Sequence, residues 1–151
     1  MDHIFFDTNI IIRFLTGDDL KKQAAAAALF ERIEQKEVTL YAPDSVICDA
    51  VFVLSSPKNY NKSREEIREL LFPLVSLENL KIANRRTLLR ALDIYATHPI
   101  DFSDAFLKAT MEAAQAQIIY SYDTDFDRVA DITRQEPEKP SQEVEAREKA
   151  A

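Results

Sequence analysis

His3-Ile4-Phe5-Phe6-Asp7-Thr8-Asn9-Ile10-Ile11-Ile12 is the stretch on which the fold turns. A short apolar run without alternation reads as a strand buried on both faces, as in a parallel sheet. The chain then meets a carboxylate, a hydroxyl and an amide before it becomes apolar again. Thr8 or Asn9 serves as a helix cap on the simplest reading, with Asp7 ending the strand. On the sharper reading Asp7 stands at the carboxyl end of a central parallel strand, where open α/β sheets place their ligands.

Outward from that stretch the pattern repeats. Ile10, Ile11, Phe14 and Leu15 recur at helical spacing, and Gly17 is placed to end the helix in the left-handed conformation. Asp18 is a cap for a helix over residues 19–35, which holds the alanine run Ala24 to Ala28. Val38 to Tyr41 reads as a second strand, followed by Asp44 or Ser45 as the cap of a third helix. That helix is apolar nearly all round, and Asp49 falls among Val46, Phe52 and Val53. An unpaired carboxylate in such a setting costs several kcal/mol, so Asp49 needs a cation, a metal or a watery cleft.

Further along, Arg64 to Val75 reads as an amphipathic helix, Leu80 to Ala83 as a third strand, and Asn84 as the cap of a helix through Tyr95. Arg86 and Arg90 lie four apart on its polar side, a solvated face that also offers charge to phosphates. Asp101 opens a helix running to about Ala116, with Asp104 at its third position, where an acid supports the helix amides. Ile118-Ile119-Tyr120 is another apolar strand, and Asp123, Asp125 and Asp127 follow it at alternate positions. A cap needs at most one of the three. From Thr133 the apolar pattern stops, so residues 1–133 are expected to form one domain and residues 134–151 a polar, flexible tail.

Composition narrows the chemistry. The single Gly17 leaves no means to write a P-loop or a GxGxxG turn. The lone Cys48 excludes an internal disulfide and a cysteine-built zinc site, and reads as a small core residue of a cytoplasmic protein. No run of 18 apolar residues suggests a membrane span. The net charge of -7 gives no long-range attraction for a polyanion, so a nucleic-acid function requires local basic patches and a metal.

Asp7, Asp49, Asp104 and Asp123 each follow a strand or sit early in the helix after one, and a parallel sheet brings such positions to one edge. Carboxylates gathered there repel unless a divalent cation neutralises them. Oxygen ligands without Cys or His select Mg2+ or Mn2+. Such a cluster suits metal-activated water attacking a phosphodiester. Phosphoryl transfer through an aspartyl phosphate is the competing chemistry. A receiver-like domain would carry a lysine after its late strand, where this chain has Ser121, and a haloacid-type phosphatase would carry Asp where this chain has Asn9.

Taken with the segments Phe-Asp-Thr-Asn-Ile-Ile-Ile-Arg-Phe-Leu, Ile-Asp-Phe-Ser-Asp-Ala and Ser-Tyr-Asp-Thr-Asp-Phe-Asp, in this order and spacing, the chain resembles the PIN-domain family and its VapC-type toxins over roughly residues 2–132. The resemblance implies a three-layer α/β/α fold with a central parallel sheet of four to five strands, and metal-dependent endoribonuclease action. It matches Asp7, Asp104 and Asp123 to metal-binding acids and Asn9 and Ser121 to polar residues lining the site, with Asp125 in an outer shell and Thr8 in support. The acid on the third helix is usually Glu in that family, and here it is Asp49, shorter by about 1.5 Å. A homodimer and a small antitoxin protein are implied as well. Arg13, Arg86 and Arg90 are the candidates for contact with the RNA backbone. The alternative from a different class is a PIN-like module with a weakened site, kept for protein or RNA binding.

Overall fold

The computed structural model describes residues 2–140 and 147–150. Five strands and six α-helices follow in the order β1 (Ile4–Phe5), α1 (Thr8–Leu15), α2 (Leu20–Glu34), β2 (Leu40–Ala42), α3 (Ser45–Ser55), α4 (Arg64–Val75), β3 (Leu80–Ile82), α5 (Arg85–Thr97), α6 (Phe102–Ala113), β4 (Ile118–Tyr120) and β5 (Thr133–Gln135), with a 3-10 turn at Thr124–Arg128 between the last two. Residues 147–150 are also helical. The chain divides into two compact units, Met1–Ala114 and Gln115–Ala151.

In the first unit β1, β2 and β3 form a parallel sheet in sequence order, with Ile4 opposite Leu40, and Leu40 opposite Leu80. Parallel neighbours demand crossovers, and helical pairs supply them: α1 and α2 between β1 and β2, α3 and α4 between β2 and β3. The sheet is therefore not the single one of four to five strands that was expected. Three strands lie in this sheet, and β4 and β5 form a separate parallel pair.

The core follows the apolar periodicity. Ile11 of α1, Ile33 of α2, Ile47 and Leu54 of α3, Ile67 and Leu71 of α4, Leu80 of β3, and Leu88 and Leu92 of α5 are completely or almost completely buried. Phe14 stacks on Phe30 with ring centroids 4.6 Å apart, which fastens α1 to α2. α4 matches its expected limits because Ser63 and Glu66 form a reciprocal capping box, and α5 packs against both α4 and α6. Among the described residues no helix is long and apolar enough to cross a membrane.

Several local expectations give way to better-placed neighbours. Asp19, not Asp18, caps α2 through its bond from the Lys22 amide, while Asp18 accepts from the Tyr60 hydroxyl. Gly17 is not left-handed, because α1 ends at an extended Thr16 whose hydroxyl bonds the Ile12 carbonyl. The left-handed residues are Lys36, Asn61, Asn84, Gln115 and Asp131. Lys36 ends α2, where the Glu37 amide reaches back to the Arg32 carbonyl at 2.9 Å.

β1 is exposed rather than buried, with Ile4 and Phe5 at 56% and 65%, whereas Leu80 and Ile82 of β3, the other edge of the sheet, are buried. β4 is likewise an edge strand and exposes Ile118 and Tyr120. Thr133–Gln135, assigned in part to the tail, is strand β5, whose pairing with β4 is a contact no local apolar pattern announces. Residues 141–146 and 151 of the expected tail lie outside the described residues.

Candidate functional site

The three parallel strands of the first unit end in polar residues, but β1, expected as a central strand, lies at the edge of its sheet. Asp7 follows β1, Asp44 follows β2 and Asn84 follows β3. Asp7 sits in extended backbone as the N-cap of α1, and its Oδ1 accepts the Asn9 amide at 3.1 Å. Cap and ligand roles are compatible, since a carboxylate retains lone pairs after one such bond. Thr8, expected as a possible cap, instead donates its hydroxyl to the Val46 carbonyl at 3.4 Å. That bond ties the first residue of α1 to the first turn of α3, one turn before Asp49.

α3 turns its Val46, Ile47, Ala50, Val51 and Leu54 inward, which leaves Asp49 and Phe52 exposed. The cost of a buried, unpaired Asp49 is therefore not incurred, and the carboxylate reaches solvent. Asp44 does not cap α3 with its side chain. It accepts the Asn84 amide group at 2.8 Å, joining the ends of β2 and β3.

Asp104 stands in the first turn of α6, half-buried, where an acid favours the helix terminus. α6 packs against α3 and α5. Between α3 and the start of α6 lies a cavity of about 270 Å³ lined by Cys48, Val51, Phe52, Ser55, Tyr95, Asp101, Phe102 and Ser103. Cys48 is thus a half-buried wall residue and not part of the closed core. Burial and the Asp44 and Asp49 carboxylates push its thiol up, an electrostatic sign of how negative this end of α3 is.

In the second unit Asp123 caps the 3-10 turn, its Oδ1 accepting the Asp125 amide at 2.9 Å while its own amide donates to the Ser121 hydroxyl at 3.0 Å. Arg134 of β5 makes this turn rigid. Its guanidinium meets both Asp127 oxygens at 2.9 and 3.3 Å and donates to the Ser121 carbonyl at 3.0 Å.

The basic candidates behave differently from one another. Arg90 is engaged with both Glu112 oxygens at 2.8 and 3.1 Å, and buried Lys108 reaches the same carboxylate at 2.5 Å. The Arg90 hydrogen bonds first, and those of Lys108 next, hold the Glu112 carboxyl down at about 2. Arg13 on α1 and Arg86 on α5 carry no ion pair with another described residue.

Two arginines passed over as site residues have structural tasks. Arg85 donates to the carbonyls of Leu77, Glu78 and Leu80 and so holds the entry to β3. Arg64 of α4 lies 4.4 Å above the Tyr95 ring and donates to the carbonyls of Tyr95, His98 and Ile100 at 3.1, 2.9 and 2.6 Å. These carbonyls form the link between α5 and α6, so Arg64 fixes the approach to Asp104. No local signal marks either arginine in the sequence, because their partners are main-chain carbonyls, which any residue offers, and those of Arg64 lie far along the chain.

Asp7, Asp49 and Asp104 lie in the first unit and Asp123 in the second. Asp7, Asp49 and Asp123 form no ion pair with a described Lys, Arg or His. Their chemistry, oxygen alone and anionic, fits a hard divalent ion and not zinc. Among the described residues no three His, Cys, Asp or Glu side chains are gathered closely enough to hold a metal.

Comparison with known proteins agrees with the fold. The chain is 26% identical over 98 residues to the VapC ribonuclease of Aquifex aeolicus, covering 65% of this chain and 70% of that protein. It is 27% identical over 136 residues to ribonuclease VapC2 of Methanocaldococcus jannaschii, covering 83% of this chain and 88% of that protein. The family model of the PIN domain matches residues 4–132. With a parallel sheet in which β1 and β2 are followed by acids, and with that match across most of its length, this chain belongs to the PIN-domain family.

Proposed function

We propose that this protein is an endoribonuclease of the VapC toxin type that depends on Mg2+ or Mn2+ and hydrolyses RNA phosphodiester bonds. The observation that carries the reading is a set of carboxylates without a cationic partner in the described residues, Asp7 and Asp123 after strand ends and Asp49 in the second turn of α3, in a chain of PIN-domain type. Asp7, Asp49, Asp104 and Asp123 are the proposed ligands. When bound, the divalent ion supplies Lewis acidity toward water and phosphate and offsets charge on the departing oxygen.

The chain's own residues do the rest. The Asn9 amide fixes the Asp7 carboxylate, and the Asp125 amide and Ser121 hydroxyl fix the turn that carries Asp123. Thr8 keeps α1 and α3 in register through the Val46 carbonyl. Carboxylate oxygens left free by these bonds accept the proton of the attacking water, and no side chain acts as a nucleophile. Arg13 and Arg86 supply charge toward the RNA backbone, with Arg90 joining them only insofar as Glu112 leaves its remaining N–H groups available. The relatives' names support an RNA substrate and, by their VapC type, an antitoxin protein as partner. We place the protein in the cytoplasm on the strength of its lone Cys48, and as a homodimer on the strength of its resemblance to VapC-type toxins.

A second reading has one observation in its favour: Asp49 is shorter than the Glu usual at that point, so the site could have lost cleavage and retained binding. Incubating the purified protein with structured RNAs separates the two. Cleavage with Mn2+ or Mg2+, its loss in EDTA, and at least a 10–100-fold loss in Asp7→Asn are expected, the scale on which disturbed metal sites lose activity. No metal-dependent cleavage, or an undiminished Asp7→Asn variant, overturns the nuclease reading.

A further inference from the structure

The cavity between α3 and the start of α6 has a composition that the acids do not explain. Its volume of about 270 Å³ is near the lower end of ligand pockets, enough for one flat base and little more. The α3 wall consists of Cys48, Val51, Phe52 and Ser55, a single helical face. Phe52 is 74% exposed, so its ring stands uncovered beside the cavity.

The opposite wall has a different character. Asp101 occupies the N-cap position of α6, yet its side chain makes no cap hydrogen bond. Neither Asp101 nor Ser103 bonds through its side chain to another described residue, so a carboxylate and a hydroxyl stand uncommitted at the rim. Tyr95 and Phe102 form a rigid floor, edge to face at 5.7 Å, with the Arg64 guanidinium behind the Tyr95 ring. An apolar stacking surface on one side and two exposed hydrogen-bonding side chains without a partner among the described residues on the other suit a flat ligand with N–H donors along its edge.

We infer that this cavity is a nucleobase subsite selective for guanine, stacking the base on Phe52 and reading its edge with Asp101. The inference rests on the nuclease reading above and adds base selection to it. Guanine presents two adjacent N–H donors, N1–H and the N2 amino group, which match both oxygens of one carboxylate. Adenine, cytosine and uracil present no such adjacent pair. Single-stranded RNA is read in this way, by stacking on aromatic rings and bonding to exposed base edges. Position supports it too: Asp49 follows Cys48 and Asp104 follows Ser103, each acid one residue, about 3.8 Å along the backbone, beyond a wall residue. A base held here brings its own sugar-phosphate to the stretch of chain that carries those acids.

The test uses the full-length protein and the trinucleotides UGU, UAU, UCU and UUU, followed by protein NMR in EDTA, so that metal and cleavage play no part. UGU is expected to bind at least about tenfold more tightly than the others, with the largest shifts at Phe52 and Ser103. Phe52→Ala is expected to weaken UGU about tenfold and Phe52→Trp to restore it, while Asp101→Asn removes the preference for UGU. Equal binding of all four, or an unaffected Phe52→Ala, overturns the subsite. So does N-acetylphenylalaninamide binding as tightly as UGU, which assigns the cavity to a side chain of a protein partner. Cleavage with Mn2+ that shows no guanine dependence overturns the subsite and leaves the nuclease reading intact, whereas UGU selectivity in a protein that cuts nothing retains the subsite and removes the nuclease.

Discussion

Truncating Arg64 is the sharpest perturbation the structure offers, because one side chain bonds the whole link that delivers Asp104. Its Nη1 faces three carbonyls at 2.6 to 3.1 Å but has two hydrogens, so it sustains about two full hydrogen bonds. Hydrogen bonds to charged groups contribute about 1.5–3 kcal/mol each, and half-burial lets water replace part of that on truncation. Taking about 1 kcal/mol for each bond, and about 0.5–1 kcal/mol for the guanidinium over Tyr95, Arg64→Ala should cost about 3 kcal/mol. For a chain of this size that corresponds to a fall of about 6–12 °C in Tm. Arg64→Lys keeps a charge but not the planar fork, and should lose about half as much. Thermal unfolding by circular dichroism measures both, and hydrogen exchange should rise at residues 98–104. If Arg64→Ala melts within about 2 °C of the parent, the link is held by something other than this guanidinium.

The Glu112 carboxyl, held at about 2 by Arg90 and Lys108, contributes stability that is complete above its unfolded value near 4.5 and lost as pH falls through about 2. Glu112→Gln should therefore flatten the stability profile between pH 5 and pH 2, as followed by urea denaturation, and should cost only about 1 kcal/mol at neutral pH because the pair with Arg90 is partly solvated. Asp49→Glu, which adds one methylene, should lower the Mn2+ concentration at the midpoint of metal-induced thermal stabilisation, and an unchanged midpoint would remove Asp49 from the ligand set. Arg134→Ala should accelerate hydrogen exchange at the Asp123 and Asp125 amides while leaving those of α4 and α5 unaltered, since its partners are Asp127, Glu136 and Ser121.

What could be read from the sequence was what local chemistry controls. α4 was legible to the residue because Ser63 and Glu66 are a short-range cap, and Asp7 stood out because a carboxylate interrupts Phe6 and Ile10 at a strand end. Strand burial was not legible. Ile4-Phe5 and Ile118-Ile119-Tyr120 have the composition of inner strands, yet both occupy sheet edges, and edge position is set by long-range pairing. The cavity escaped notice for the same reason: Phe52 and Asp101 are far apart in sequence, and Asp101 was credited with a cap it does not make. Arg90 illustrates the opposite error, since a polar-face arginine gave no hint of Glu112 on the neighbouring helix.

The turns that end α2 and follow α6 carry a consequence for engineering. Lys36 and Gln115 adopt φ of 62° and 55°, where a side chain costs roughly 1 kcal/mol that glycine would avoid. A chain with a single glycine thus holds unclaimed stability at two solvent-exposed positions. The fold has a reserve from which harsher changes at its acids could be compensated.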